Sequence, residues 1–534
     1  MNKFIEKYQQ HIVGTLSGFD RLVFRGSLRR LNRSVFDQER GILVALGMEH
    51  YLWDSGVLFK NSGDFLRRTS QRVRDHSLRV FHERKLPVEF IRDCQTDKDK
   101  VARGIAAKLG VTEGPVCAIS ALEPSPTFDH IKSRMARRIR PCHVLYHYQI
   151  HPQLGWLHAR LQTWFPFNIQ IAMNGREWLA RSLRQQGMEY VQHQNCFPWL
   201  QDFARAQQLM DEQLKTNWVE LLEGFAKELN PLHEEIFAKH PAEYYWTCYQ
   251  SEWATDVVFR EGAFLKRMMS LLTPHAIESF SCQDVLRFFN KRVNQSGEIP
   301  ASFSGPLQMN LRKYTAGERD KFWLQGNSTK FYDKAYTEVG AVLRAAETTI
   351  NKAGVFRAYR AKEGGPEAEL QWLPMRAGIA DIKRRTEISD AVNNRLMDAL
   401  ASVDDTARLE ELIGSIQHAV IWQGRRVRAL RPFAEDRQLL ETVQRGEFLL
   451  QGFRNRDLQQ VLYQQPPADD KEKRRRSAAI SRKLRMLRAH GIIRKIAHTH
   501  RYQVSPNART ILVTILTCAR TSLHEINVLR QRAA

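Results

Sequence analysis

The stretch that most constrains this chain is Lys471 to Arg509, KEKRRRSAAISRKLRMLRAHGIIRKIAHTHRYQVSPNAR, where thirteen Lys and Arg stand against a single Glu. Ala478, Ile480, Leu484, Leu487 and Ile492 form a broken apolar stripe at helical spacing, with the basic residues on the other faces. His490 and Gly491 end that helix, since glycine turns left-handed at no steric cost. IIRKIA and RYQVS then read as two short strands around the turn His498-Thr499-His500. So many charges cannot enter a core; they face water or a polyanion.

Upstream, EDRQLLETVQRGEFLL and RNRDLQQVLY have helical patterns, and QQPPADD separates the second from the basic helix. Three helices, a glycine, a basic hairpin and a last helix from Pro506 make the order of a winged helix-turn-helix. In that motif one helix enters a DNA major groove and the wing touches the backbone. The expected contacts are Arg474, Arg475, Arg476, Arg482, Lys483, Arg485 and Arg488 on the helix, with Arg494, Lys495, His500 and Arg501 in the wing. The apolar side of the last helix would pack on this domain or form a homodimer.

Charge distribution supports the polyanion. Of a net +23, residues 431–534 hold +12 (21 Lys and Arg against 9 Asp and Glu), and the other 430 residues hold +11 (60 against 49). A solvated basic face accounts for that asymmetry less well. At 534 residues the chain exceeds one core. The expected class is mixed α+β and multidomain, with a central antiparallel β-rich body, a helical linker and the winged helix. The expected boundaries are an N-terminal α/β domain at 1–130, a hairpin and helical region at 131–240, a β-meander at 241–365, helices at 366–430 and the winged domain at 431–534. Seven scattered cysteines without a CxxC pair argue against a zinc ribbon or disulfide framework and fit a reducing cytoplasm. No signal-type core and no run of eighteen apolar residues occurs, so no membrane span is expected.

Along the chain, GFDRLVFRG (18–26) reads as a strand. Its Asp20 can bind a metal or pair with Arg21 or Arg25, and the salt link is favoured. Val35 to Arg84 has a mostly helical pattern. LPVEFIRD, TDKDKVARGIAAKLG and GPVCAISALE then read as β-α-β, with a Thr N-cap on the helix. Neither GxxxxGK[ST] nor GxGxxG occurs, so nucleotide hydrolysis is unsupported. Beyond the basic cluster RMARRIR (134–140), Cys142–Ile150, Trp156–Trp164 and Asn168–Met173 read as three strands leading into a helix at Asn174-Gly175. His143, His147 and His151 cannot share one ion on a strand, where four residues span roughly 13 Å. Trp156, His158, Arg160 and Trp164 share a face that suits either stacking on bases or ordinary half-burial. Phe197 to His240 reads as helix. Glu252 and Asp256 read as a surface pair near Arg260, with acid/base or metal chemistry as the alternative. KEGGP (362–366) reads as a hinge; Gln371–Ser402 and Thr406–Gln423 read as helices offering Arg384, Arg385 and Arg395 to a phosphate backbone.

The meander expected from Gly297 to Arg360 contains GNSTKFYDKAYTEVGAVLRAAETTI (326–350). Lys330, Tyr332 and Lys334 share one strand face, Asp333 lies on the other, and Glu347 sits on the next strand. Asp333 and Glu347 are a divalent-metal pair for Mg²⁺ or Mn²⁺, because hard cations take carboxylate oxygens; Lys334 would hold a phosphate. The K-x-YDK…LR…E pattern resembles a segment of the rolling-circle replication initiators of plasmids and filamentous phages. That resemblance implies nicking of single-stranded DNA by a tyrosine and a divalent metal. Tyr332 is the nearest nucleophile, with Tyr314 and Tyr336 as rivals. The chain departs from the pattern in having two alanines between Arg344 and Glu347 and no HUH motif.

LSGFDRLVFRGSLR, HPQLGWLHARLQTWFPFNIQ with NGREWLA, and RKLRMLRAHGIIRK…HRY together resemble a widespread uncharacterised bacterial family, carried in multiple copies as mobile-element genes are, with a MarR-like winged helix. Three functions compete: a mobile-element DNA-binding protein with transposase-, nickase- or initiator-like activity, a non-enzymatic MarR-like transcriptional regulator, and an RNA-binding protein. The size of the body favours the first, and duplex DNA is the expected partner. No complete catalytic motif is present.

Overall fold

The computed structural model describes residues 2–30, 45–93, 95–131, 134–280, 282–291, 307–314, 317–362, 370–403, 413–414, 416–445, 448, 452–463, 465–496 and 499–522. Its strands in chain order are β1 (Ile12–Arg30), β2 (Val88–Ile91), β3 (Gly114–Ile131), β4 (Arg134–His151), β5 (Gly155–Gln162), β6 (Ile169–Met173), β7 (Tyr190–His193), β8 (Cys196–Leu200) and β9 (Ala242–Phe259). They continue as β10 (Leu307–Tyr314), β11 (Gly317–Leu324), β12 (Asn327–Tyr336), β13 (Ala341–Ile350), β14 (Arg357–Ala361), β15 (Leu370–Pro374), β16 (Val420–Trp422), β17 (Arg425–Val427), β18 (Ile493–Lys495) and β19 (Tyr502–Val504). The class is mixed α+β around a large, mostly antiparallel sheet.

The larger of two units comprises Val13–Val258 and Lys334–Asp390. Its sheet runs β13-β9-β1-β6-β5-β4-β3-β2. The pairs β1·β6, β6·β5, β5·β4 and β4·β3 are antiparallel, and β2·β3 is parallel. The parallel pair is the expected β-α-β, since the helix Lys98–Leu109 connects its strands. Phe19, Phe24, Leu157, Ile169, Ile171, Trp218 and Trp253 meet in the main core. The helix Phe203–Glu212 lies flush on β1, because a side chain at Gly14 would overlap the Phe203 ring and one at Gly18 would overlap Met210. Gly14, Leu16, Gly18 and Asp20 share one face of β1 by the two-residue period of a strand.

The smaller unit comprises Met1–Ile12, Phe259–Asp333 and Ala391–Ala534. The strands β10, β11 and β12 form an antiparallel meander, as the sequence predicts. Toward the C-terminus, the helices Arg437–Val443, Asn455–Leu462 and Asp470–Ala489 precede the β18–β19 hairpin and the helix Pro506–Arg520. Leu440, Leu458, Ile480, Leu484, Leu487, Ile493 and Leu512 fill their common core. Asp469 caps the basic helix by accepting from Glu472 N, and Gly491 leaves it at φ +69°. Phe453 and Tyr502 exchange two backbone hydrogen bonds of 2.8 Å, adding a third strand position beside the hairpin.

Several local expectations change. The helix at Lys98 is capped by Asp97 and not by Thr96, whose hydroxyl turns back to Asp93. Phe197 to Leu200 is strand β8, paired with β7, and helix begins only at Phe203. Leu370–Pro374 pairs with β14, and Val420–Trp422 with β17, where helices are expected. Their short β-branched and aromatic runs find strand partners, which local pattern cannot reveal. The hinge at 362–366 lies, apart from Lys362, outside the described residues.

Candidate functional site

Three neighbouring strands of the larger unit each bring acid to one place: Asp20 on β1, Glu252 and Asp256 on β9, Glu347 on β13. Arg344 sits among them, fully buried. Its Nε donates to Asp256 Oδ1 at 2.7 Å and its Nη2 to Asp256 Oδ2 at 3.2 Å, the bidentate arrangement a planar guanidinium favours. Its Nη1 lies 2.9 Å from Asp20 Oδ2 and 3.0 Å from Glu347 Oε2. Its Nη2 also reaches the Asn195 carbonyl at 3.1 Å. Asn195, between β7 and β8, returns its amide to Asp20 at 2.6 and 2.7 Å. Arg176, in the first turn of the helix Gly175–Gln185, adds a second buried guanidinium 3.3 Å from Asp256 and donates to the Leu16 and Ala254 carbonyls.

Arg344 and Glu347 are three residues apart, so strict alternation would put them on opposite faces of β13. Their contact means the strand leaves alternation across Ala345 and Ala346. The second alanine is thus accommodated without separating the ion pair.

The electrostatics follow from burial. Desolvation holds the Asp20 carboxyl above its usual value against the pull of Arg344, and Glu347 adds to the rise. Desolvation also lowers Lys334, with Arg344 lowering it further while Asp20 and Asp256 oppose. The Cys196 thiol is pushed up to about 12 by burial and Asp256. Among the described residues, four carboxylates thus lie with three cations, Arg176, Lys334 and Arg344.

Oxygens of Asp20, Glu252 and Glu347 come within 4.8 Å of one another, the one such grouping among the described residues. Glu347 of the expected metal pair belongs to it, and Asp333 does not. Asp20 does form a salt link, but to Arg344. Glu252 and Asp256 are no surface pair near Arg260, because Asp256 is 1% exposed and bonded to Arg344. Asn195 and Arg176 carry no sequence signal beyond the NGREW cap, where Asn174 accepts from Arg176 N. Arg385, expected to meet phosphate, is buried and donates to Ser251 and the Ile350 carbonyl. Arg384 is bound to Glu387, and Arg395 donates to the Phe288 carbonyl at 2.7 Å. Tyr332 and Asp333 lie buried on β12, and Lys330 stands over the Tyr332 ring. Tyr336 is 39% exposed, and the Tyr314 side chain is outside the described residues.

The three histidines of β4 go separate ways. His147 is buried, bonded to Ser77 Oγ at 3.0 Å and held down to about 4 by desolvation. His143 meets Ser120, and His151 accepts from the backbone of Gln153 and Leu154. On β5, Trp156 donates to Asp99 and Arg160 pairs with Glu123, so this face is a packed one.

In the C-terminal region Arg474, Arg475 and Arg482 are exposed on the basic helix, and Arg494, Lys495 and His500 on the hairpin. Lys483 and Arg485 are half-buried. Arg476 is held by Glu472 and the Gln465 carbonyl over the Tyr463 ring. Arg488 stacks on Trp422, and Arg501 donates to the Gly452 carbonyl at 3.0 Å.

No family model matches the chain, and no curated protein or solved structure is similar enough to match it. Among the described residues no helix is long and apolar enough to cross a membrane.

Proposed function

We propose that this chain binds duplex DNA through a C-terminal winged helix-turn-helix and, on the resemblances above, serves a bacterial mobile element. The observation that carries the reading is the pairing of Phe453 with Tyr502. It turns the element order into helix, strand, helix, helix, two-stranded hairpin, with the most basic helix third. That helix would enter the major groove, with Arg474, Arg475 and Arg482 on phosphates or base edges. Lys495 and His500 would touch the backbone from the wing. Arg476, Arg488 and Arg501 would hold the domain together. The test is a gel shift with duplex DNA across a salt series. Replacing Arg474, Arg475 and Arg482 with Ala should weaken binding and flatten the slope of log K against log salt, by about 0.9 for each phosphate no longer neutralised. An unchanged slope overturns the reading.

A second reading is favoured by the carboxylate grouping: metal-dependent phosphodiester cleavage in the larger unit. Asp20, Glu252 and Glu347 offer a Mg²⁺- or Mn²⁺-type set of hard oxygens. A bound ion would polarise a phosphate and stabilise the leaving oxygen. Arg344 would hold Asp20 and Glu347 in position, and Lys334 would neutralise a phosphate. Because Asp20 titrates above its usual value, ion binding should weaken as pH falls. Incubation with labelled single- and double-stranded DNA and either metal tests this. Cleavage that survives Glu252→Gln unchanged removes the assignment.

A further inference from the structure

Beside the C-terminal hairpin the smaller unit holds a cleft of about 910 Å³, in the size range of sites for small organic ligands. Its cations arrive from five elements. Lys3 and Lys7 come from the helix Lys3–Tyr8, Arg287 from Cys282–Phe288, Arg395 from Ile382–Leu400, Arg494 from β18 and Arg509 from Pro506–Arg520. Against these six the described residues give the cleft two carboxylates, Asp284 and Asp398, and Asp398 accepts from the Lys3 backbone N at 3.0 Å.

The cations are built in, not scattered. Arg395 is fixed by its bond to the Phe288 carbonyl. Arg509 is half-buried; desolvation disfavours its charge, Asp284 opposes that loss, and Arg287 adds to it. Phe288, Val403, Val504 and Ile511 give the cleft an apolar wall. A surplus of positive charge around such a wall matches an anion with a flat apolar part. Successive residues on β18 point to opposite sides, so Arg494 faces this cleft while Lys495 faces away. No residue of the basic helix Asp470–Ala489 lines it.

We propose that this cleft binds a phosphorylated nucleotide, with Arg287, Arg494 and Arg509 on the phosphates and the apolar wall against the base. The site stands apart from the groove-binding helix and does not rest on the DNA reading. The chain contains neither GxxxxGK[ST] nor GxGxxG, so the phosphates are gripped by guanidinium and ammonium groups instead of a glycine-rich backbone cradle.

The experiment is calorimetric titration of the full chain with ATP, inorganic triphosphate and adenosine. ATP should bind saturably, triphosphate more weakly and adenosine weakest. Arg287→Ser, at an exposed side chain, should weaken ATP by about tenfold, which is about 1.4 kcal/mol for one charge-assisted hydrogen bond. Arg509→Gln should do the same, while Lys495→Ser should leave ATP binding unchanged. Circular dichroism and thermal unfolding confirm that Arg287→Ser and Arg509→Gln remain folded. Absence of saturable ATP binding at millimolar concentration overturns the proposal, as does binding that ignores both arginine variants. Capture of an oligo(dT) strand that depends on Arg287, with no ATP binding, also overturns it, in favour of a strand-binding channel.

Discussion

Two regions concentrate charge in opposite ways. In the larger unit Arg344 and Arg176 are fully buried, and each touches a named carboxylate. On the helix Asp470–Ala489, Arg474, Arg475 and Arg482 face solvent, and acid is confined to the first turn at Asp470 and Glu472. Charge taken out of water must be met by opposite charge, or it costs several kcal/mol per ion. Charge left in water contributes little to folding and remains available to a polyanion. The same residue type is therefore structural in one place and solvent-facing in the other.

The sharpest way to break that contrast is Arg344→Met. It strands Asp20, Asp256 and Glu347 together, and it should cost about 3–5 kcal/mol in urea unfolding. A cost below about 1 kcal/mol would mean the carboxylates simply take up protons, and the network is no keystone. Next comes acid sensitivity. His147 titrates at about 4 instead of 6.5 because burial favours its neutral form, so folding prefers it unprotonated. Its contribution is complete above pH 6.5 and is lost as pH falls toward 4, a change on the order of 3 kcal/mol. Unfolding free energy measured between those values should show that loss, and a Ser77→Ala/His147→Leu double variant should flatten the curve. The smallest effect is expected on the exposed side. Arg475→Ala, 3.7 Å from Glu472 and 79% exposed, should change stability by less than about 0.5 kcal/mol while lowering DNA affinity. A larger stability change would erase the distinction between the two regions.

The C-terminal elements were legible in the sequence because their signals are local. A helical stripe, Gly491 and two short alternating runs suffice, and the helix, the φ of +69° and the β18–β19 register follow them. The β-α-β and the strands leading to Asn174-Gly175 were legible for the same reason. The charge network was visible only in pieces. Asp20, Glu252, Asp256 and Glu347 each stand out as acids in strand-like surroundings, but their partner Arg344 is up to 324 positions from them in the chain. Strand order, which no local pattern encodes, brings β13, β9 and β1 side by side. Asn195 has no signal at all, since an asparagine between two short strands reads as a turn residue.

The glycines of β1 have a meaning beyond close packing. Gly14 and Gly18 act as notches on a key, and Phe203 and Met210 are the wards that read them. If the strand slid by two residues, Leu16 would be driven into the Phe203 ring that Gly14 clears. Asp20 would move with it, out of reach of Arg344 and Asn195. The position of one acid is therefore enforced by a residue that has no side chain, and a methyl group at Gly14 should displace a charge it never touches.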